Sequence, residues 1–402
     1  MKTVAAERLQ TTDSEKVAST EQFQSGQVLT IAGGHFFHDI YTALVPALLP
    51  AIIDKLSLSL VMAGSLTAVQ QLPGVLNPFI GYLADRISLR YFVILAPALT
   101  ATLISILGLA PNYPVLVIIF LLAGVSTAAF HAPAPAMIGR ISGKSVGKGM
   151  SFFMAAGELA RTLGPLLAVW AISLWTLDGI YRLSVVGWGT SLILFWRLRS
   201  VPARTEQNVG LRQAIPAMRR LFIPIVIFTL SRNFLVECLV TYLPVYMDAR
   251  GASLWIAGAS LSLLEMAGVV GALFSGTFSD KLGRKPILLI SIVASSTLTF
   301  LFLSLAGWWL VPILLLLGFT SLSSMPVLLA MVQEHLPEHR AVGNGVFMLI
   351  SFALRPIAIL SIGFMGDRFG LTSAFYISAV IVLLAIPAIM ALPATPHRMA
   401  AD

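Results

Sequence analysis

His35, His38 and Asp39 stand at i, i+3 and i+4 of an apolar stretch, so a helix would carry all three on one face. Two imidazoles and a carboxylate at that spacing can hold a proton, a hydrogen-bond network or a metal ion. A carboxylate that titrates near neutral pH is what a proton-coupled carrier needs, so Asp39, with His38 and His35, is the expected coupling group. Three ligands on one face with no fourth in view weaken the metal reading, and no metal is expected.

Glu158 and Arg161 are spaced i, i+3 and can pair along their own helix. A guanidinium keeps its charge and offers a planar fork to phosphonate, phosphate or carboxylate. Arg161 is therefore expected to bind an anionic solute, with Glu158 orienting it and joining the proton traffic. Arg232 and Arg355, much later in the chain, are read the same way, unless Glu237 or Glu265 neutralises them. Asn233, Glu237, Glu265, Gln70 and His131 complete the expected substrate contacts.

These side chains lie in segments that water does not reach. The 402 residues are 57% hydrophobic and 11% charged, against about 25% charged in a soluble domain. A polytopic membrane protein follows. The net charge of +8 does not indicate nucleic acid, because the basic residues fall in short loops between apolar runs. The single Cys238 excludes a disulfide framework and a cysteine-based metal centre. An ionisable group at membrane depth costs a few kcal/mol, about 2.5–3.5 at a helix centre, so each is a functional candidate.

Windows of about 20 apolar residues predict twelve spans: 29–53, 60–82, 91–110, 114–138, 149–173, 179–198, 221–247, 254–278, 286–305, 309–332, 343–365 and 371–392. Residues 1–28 read as an N-terminal tail, 29–198 as one six-helix half and 199–220 as a polar linker. Residues 221–393 form the second half and 394–402 a C-terminal tail. Counting Lys and Arg, 19 fall in one set of loops and tails and 4 in the opposite loops, which predicts a cytoplasmic location for both termini. Glu334 and His335, in the loop after the tenth span, read as a solvated face.

The halves repeat each other. His38, Asp39, Pro50, Asp54, Ser59, Gly64 and Gly74 align with Arg232, Asn233, Pro244, Asp248, Ser253, Gly258 and Gly268 at a constant offset of 194. One inserted residue then brings Gly81 and Asp85 onto Gly276 and Asp280. Parallel repeats of this kind place a substrate site between the halves at the midplane.

Those motifs carry a resemblance. G-x-L-A-D-R-x-x-x-R from Gly81 to Arg90, and G-x-x-x-D-K-x-G-R-K from Gly276 to Lys285, resemble the loop motif of the major facilitator superfamily. The resemblance implies an all-α membrane fold of twelve helices in two pseudo-symmetric halves. It gives Asp85, Arg86 and Arg90, and Asp280, Lys281 and Arg284, a gating role in which the Asp contacts the other half. Gly164-Pro165 resembles part of the antiporter motif. His35-x-x-His38-Asp39, Ala129-Phe130-His131-Ala132-Pro133 and Gly157 to Leu166 are similar to the fosmidomycin-resistance branch, which exports a small phosphonate antibiotic by proton antiport.

The resulting expectation is a monomeric bacterial inner-membrane carrier that exports a small anionic drug or metabolite in exchange for protons. Uptake of an organic anion by proton symport is the alternative, and a receptor that keeps the fold without moving solute is a second. The sequence has no H-E-x-x-H, no G-x-S-x-G and no Gly-rich phosphate loop followed by Lys and Ser or Thr. No enzyme, no ATP-driven pump and no cofactor is expected.

Overall fold

The computed structural model describes residues 23–77, 79–80, 90–143, 145–199, 215–336 and 340–393. Its first half contains α1 (Ser25–Leu56), α2 (Leu60–Gln71), α3 (Arg90–Ser105), α4 (Tyr113–His131), α5 (Pro133–Ile141), α6 (Val146–Gly179) and α7 (Ser184–Leu198). The second contains α8 (Ile215–Val240), α9 (Leu243–Ala249), α10 (Leu254–Leu282), α11 (Arg284–Ser304), α12 (Leu310–Ser321), α13 (Ser324–His335), α14 (Arg340–Phe369), α15 (Leu371–Ile381) and α16 (Ala385–Ala391). Gly81, Asp85 and Arg86 lie outside the described residues, as do most of the two tails and of the linker.

Ten of the described helical segments are long and apolar enough to cross a membrane. One of them, 146–198, contains both α6 and α7, and the shorter apolar segment Leu60–Leu76 supplies a further crossing. The chain is thus a twelve-helix membrane protein. Its outer surface fits lipid and not water: Val185, Trp196 and Leu273 are each more than 70% exposed, and a soluble protein rarely carries an apolar surface that extensive.

Two of the expected spans change course where proline removes a donor, while Pro46, Pro50 and Pro97 lie inside unbroken helices. Pro133 ends the fourth span's first segment, so α4 stops at His131 and α5 starts one residue later. Pro73 similarly turns the end of α2 into a 3₁₀ segment, Leu72–Leu76.

The repeat is visible in the helix starts. Ser59 caps α2 by accepting from the Met62 N–H at 3.2 Å, and its counterpart Ser253 caps α10 by accepting from Ile256 N–H at 3.4 Å. Both caps lie at the end of the molecule remote from the start of α1, here called the far end.

The halves meet chiefly along three helix pairs: α2 with α14, α10 with α6, and α9 with α1. Ile359, Gly363, Gly366 and Asp367 lie at i, i+4, i+7 and i+8 of α14 and face α2. Tyr242, between α8 and α9, donates its hydroxyl to the Ile359 carbonyl at 2.9 Å and fills the space above Gly64. Gly258, the repeat counterpart of Gly64, lies against Pro165 and Val169 of α6. Small residues let these backbones approach, which is how membrane helices associate without a hydrophobic drive. Asp54 and Asp248, also repeat counterparts, lie at the far-end mouth. Partial burial and the charge of Asp54 hold the Asp248 carboxyl above its ordinary range.

Candidate functional site

A cavity of about 220 Å³ lies between the halves. Its polar wall includes Asp39 of α1, Gln70 of α2, His131 of α4, Arg161 of α6, Glu265 of α10 and Arg355 of α14. Six positions expected from sequence to carry chemistry therefore converge from both halves. Pro165 also lines the cavity. Gly164 sits behind it, where its lack of a side chain lets α6 approach Ala43 of α1.

The first group is built on α1 and completed by α4 and α6. Gly157 of α6 leaves room for the His35 ring, which stacks on Phe153 with centroids 3.9 Å apart. The His35 Nδ1–H donates to the Phe153 carbonyl at 2.7 Å. The His38 ring stacks on Phe130 at 4.5 Å, presenting Nδ1 to Asp39 Oδ1 at 2.9 Å and Nε2 to Thr100 Oγ1 at 3.1 Å. His131, in the last turn of α4 before the proline break, donates Nδ1–H to the Thr127 carbonyl at 3.0 Å. The three rings surround Asp39: His35 Nε2 lies 3.1 Å from Oδ2 and His131 Nε2 lies 3.3 Å from Oδ1. His35 and His38 are buried behind the cavity wall, whereas Asp39 and His131 open onto it.

The second group spans the interface. Arg161 pairs with Glu158 on its own helix, and its Nε lies 3.7 Å from Glu265 Oε2 on α10. Arg161 remains half exposed to the cavity, so its charge is neutralised without being hidden. The third group lies in the second half. Arg355 Nε donates to Glu237 Oε1 at 2.6 Å, and the Thr241 hydroxyl donates to Glu237 Oε2 at 2.8 Å. Glu237 is fully buried behind Arg355, which faces the cavity.

Arg232 does not reach the cavity. It is buried within the second half, donating from Nε to Ser324 Oγ at 2.6 Å and from Nη2 to the Ser321 carbonyl at 3.0 Å. It ties α8 to the break between α12 and α13. Asn233 is likewise buried and outside the cavity wall.

Among the described residues, the second loop motif makes ion pairs within its own half. Arg284 joins Asp280 and Glu334 at 2.6 Å each, and it also donates to Ser279. Asp280, whose expected contact is with the other half, pairs among the described residues with Arg284 of the following helix. Glu334, read from sequence as solvated, is the second partner of that arginine. Gly276 and the exposed Lys281 flank this cluster, and Arg90 begins α3.

Several participants were not foreseen. Tyr242 and Asp367 join the halves at the far end, and Thr42, Thr67 and Phe352 help line the cavity. Their roles depend on contacts between segments remote in the chain, and no local spacing announces them.

The sequence profile of the Major Facilitator Superfamily matches residues 31–359. The chain belongs to this family. As a membrane transporter it is not an enzyme. It is 24% identical over 377 residues to the fosmidomycin resistance protein of Escherichia coli (strain K12), covering 92% of this chain and 93% of that protein. It is 23% identical to an uncharacterized MFS-type transporter of Bacillus subtilis (strain 168), covering 89% and 90%. A bacterial homolog of the human lysosomal transporter Spinster, in an inward-facing, occupied conformation, superposes with a TM-score of 0.78 at 14% identity, over 92% of this chain and 96% of that one. A D-xylose-proton symporter superposes with a TM-score of 0.72 at 16% identity, over 92% and 97%. These likenesses extend the two-half transporter fold over nearly the whole chain.

Proposed function

We propose that this transporter exports a small anionic drug or metabolite by alternating access, coupled to protons. The observation that carries the reading is the placement of Arg161 and Arg355, from opposite halves, on the wall of one cavity. Each guanidinium is held by a carboxylate and still faces the open space. A phosphonate, phosphate or carboxylate can take over the free face of either fork. Glu158 and Glu265 are then the carboxylates that an incoming anion displaces from Arg161.

The likeness to a fosmidomycin resistance protein supports the outward direction. A second reading, proton and anion moving together, has its own support. Glu265 shares Arg161 across the interface, so neutralising Glu265 by a proton frees Arg161 for an anion. The excess of Lys and Arg in one set of loops supports a bacterial inner membrane with both termini cytoplasmic and the far end outside.

Proteoliposomes with an imposed pH gradient and an internal pH dye test the proposal. Fosmidomycin and a panel of small organic anions and cations are added to the wild type, Arg161→Ala and Glu265→Gln. Dissipation of an acid-inside gradient by an anion, lost in Arg161→Ala, supports export by exchange. Acidification of the lumen on adding the anion supports co-transport instead. Proton movement driven by cations alone would overturn the anionic assignment.

A further inference from the structure

His35 Nε2 and His131 Nε2 converge on the carboxylate of Asp39, the first toward Oδ2 and the second toward Oδ1. His35 Nε2 and His131 Nε2 are 3.3 Å apart. Each is also 3.1–3.3 Å from an oxygen of the Asp39 carboxylate. Backbone carbonyls only accept, so the Phe153 and Thr127 carbonyls fix a proton on Nδ1 of both rings. Each neutral imidazole therefore turns the lone pair of Nε2 inward. Without an added charge, two lone pairs and a carboxylate face one another.

A central cation accepts both lone pairs and the carboxylate at once. Tetrahedral bonds of about 2.0–2.1 Å to nitrogen or oxygen place neighbouring ligand atoms about 3.3–3.4 Å apart, and the two nitrogens lie 3.3 Å apart. The surroundings are also those of a metal ligand set. A histidine ligand typically gives its other ring N–H to a carbonyl or carboxylate, which fixes its tautomer, and both rings do so. His38 contacts Asp39 Oδ1 and orients the carboxylate from behind. Phe153 and Phe130 hold the imidazole planes.

We propose that His35 Nε2, His131 Nε2 and the Asp39 carboxylate form a binding site for a divalent transition-metal ion of the zinc or cobalt class. One ligand atom from each of these residues lies within 4.8 Å of the others. Two of them, Asp39 and His131, open onto the cavity, so the fourth position faces the transported solute. Two neutral imidazoles and one carboxylate leave a divalent ion with one net positive charge. An oxyanion in the cavity balances it. This last point rests on the anionic reading above; the metal site itself does not.

The test uses the full chain, purified without a histidine tag, stripped with chelator and titrated with Co²⁺ while its visible d–d absorption is followed. The wild type is expected to bind one Co²⁺ per chain with the intense bands of four-coordination, and Zn²⁺ should displace it. His131→Ala and Asp39→Asn should each weaken binding at least tenfold. His335→Ala, on a helix outside the cluster, should leave it unchanged. Should His131→Ala or Asp39→Asn fail to fold, His131→Cys keeps a ligand and is expected to add a thiolate-to-cobalt charge-transfer band. No saturable binding by monodisperse wild-type protein, or undiminished binding by both folded ligand variants, would overturn the proposal. So would a His131→Cys protein that binds Co²⁺ without the charge-transfer band.

Discussion

The carboxylate of Asp367, near the end of α14, accepts the backbone N–H of Leu60 at the start of α2, at 2.7 Å, and that of Val61 at 2.9 Å. It is a helix cap supplied by the other half of the molecule. An N-terminal helix turn leaves N–H groups without partners and carries a partial positive charge, so the Asp367 carboxylate both bonds and neutralises it.

Breaking that cap should open the far end. Asp367→Ala removes a contact of about 1 kcal/mol that exists only while the halves touch there. A cysteine introduced at the buried Ala63 should react several-fold faster with a membrane-impermeant maleimide in the Asp367→Ala background. Equal reactivity would mean that the cap does not hold the closed state.

Gly64 and Tyr242 should behave as one unit. A methyl at Gly64 would overlap the Tyr242 hydroxyl, so Gly64→Ala is expected to lower the thermal unfolding midpoint and slow transport. Tyr242→Phe removes the obstructing oxygen. The double variant should recover part of the stability lost in Gly64→Ala, a non-additivity that a double-mutant cycle measures directly. Additive losses would dissociate the two residues.

Arg355 and Glu237 should be asymmetric. Glu237→Ala strands a guanidinium beside a buried wall and is expected to cost on the order of 2–3 kcal/mol, toward the low side of a buried pair because Arg355 keeps access to the cavity. Replacing both by Met should be milder than Glu237→Ala alone, since no charge is then left unpaired. Chemical unfolding in detergent decides it. Transport of anions should fail in both variants.

The far-end mouth should respond to pH. The Asp248 carboxyl is raised above its ordinary range by partial burial and by Asp54, so the closed arrangement binds its proton more readily than an open one. Closure at that end should therefore weaken as pH rises through the raised value, by well under 1 kcal/mol at so exposed a site. Asp248→Asn should abolish the dependence of maleimide accessibility on pH. A dependence that persists in Asp248→Asn would assign it elsewhere.

Much of this architecture is legible in the residues. Apolar runs locate the spans, and the offset between Ser59 and Ser253 anticipates two helices capped in the same way. The spacing of His35, His38 and Asp39 places them on one helix face. The closure of that cluster is not legible. His131 arrives from a helix 96 residues away from His35, at a height set by the proline break after it. The carbonyls of Phe153 and Thr127, which fix the ring tautomers, leave no trace in sequence at all. The arginines show the same limit. Arg161, Arg232 and Arg355 look alike as isolated charges in apolar runs, yet only helix rotation turns two toward the cavity and the third toward Ser321 and Ser324.

Four glycines, Gly64, Gly258, Gly363 and Gly366, line the seam that joins the halves at the far end, each against a larger residue of the other half. Glycine has no rotamers to freeze, so shutting the seam loses little side-chain entropy. What it gains is contact between close-packed atoms, an enthalpic return. The shut far end is therefore a matter of fit, and a side chain grown on any of these four glycines would wedge the halves apart.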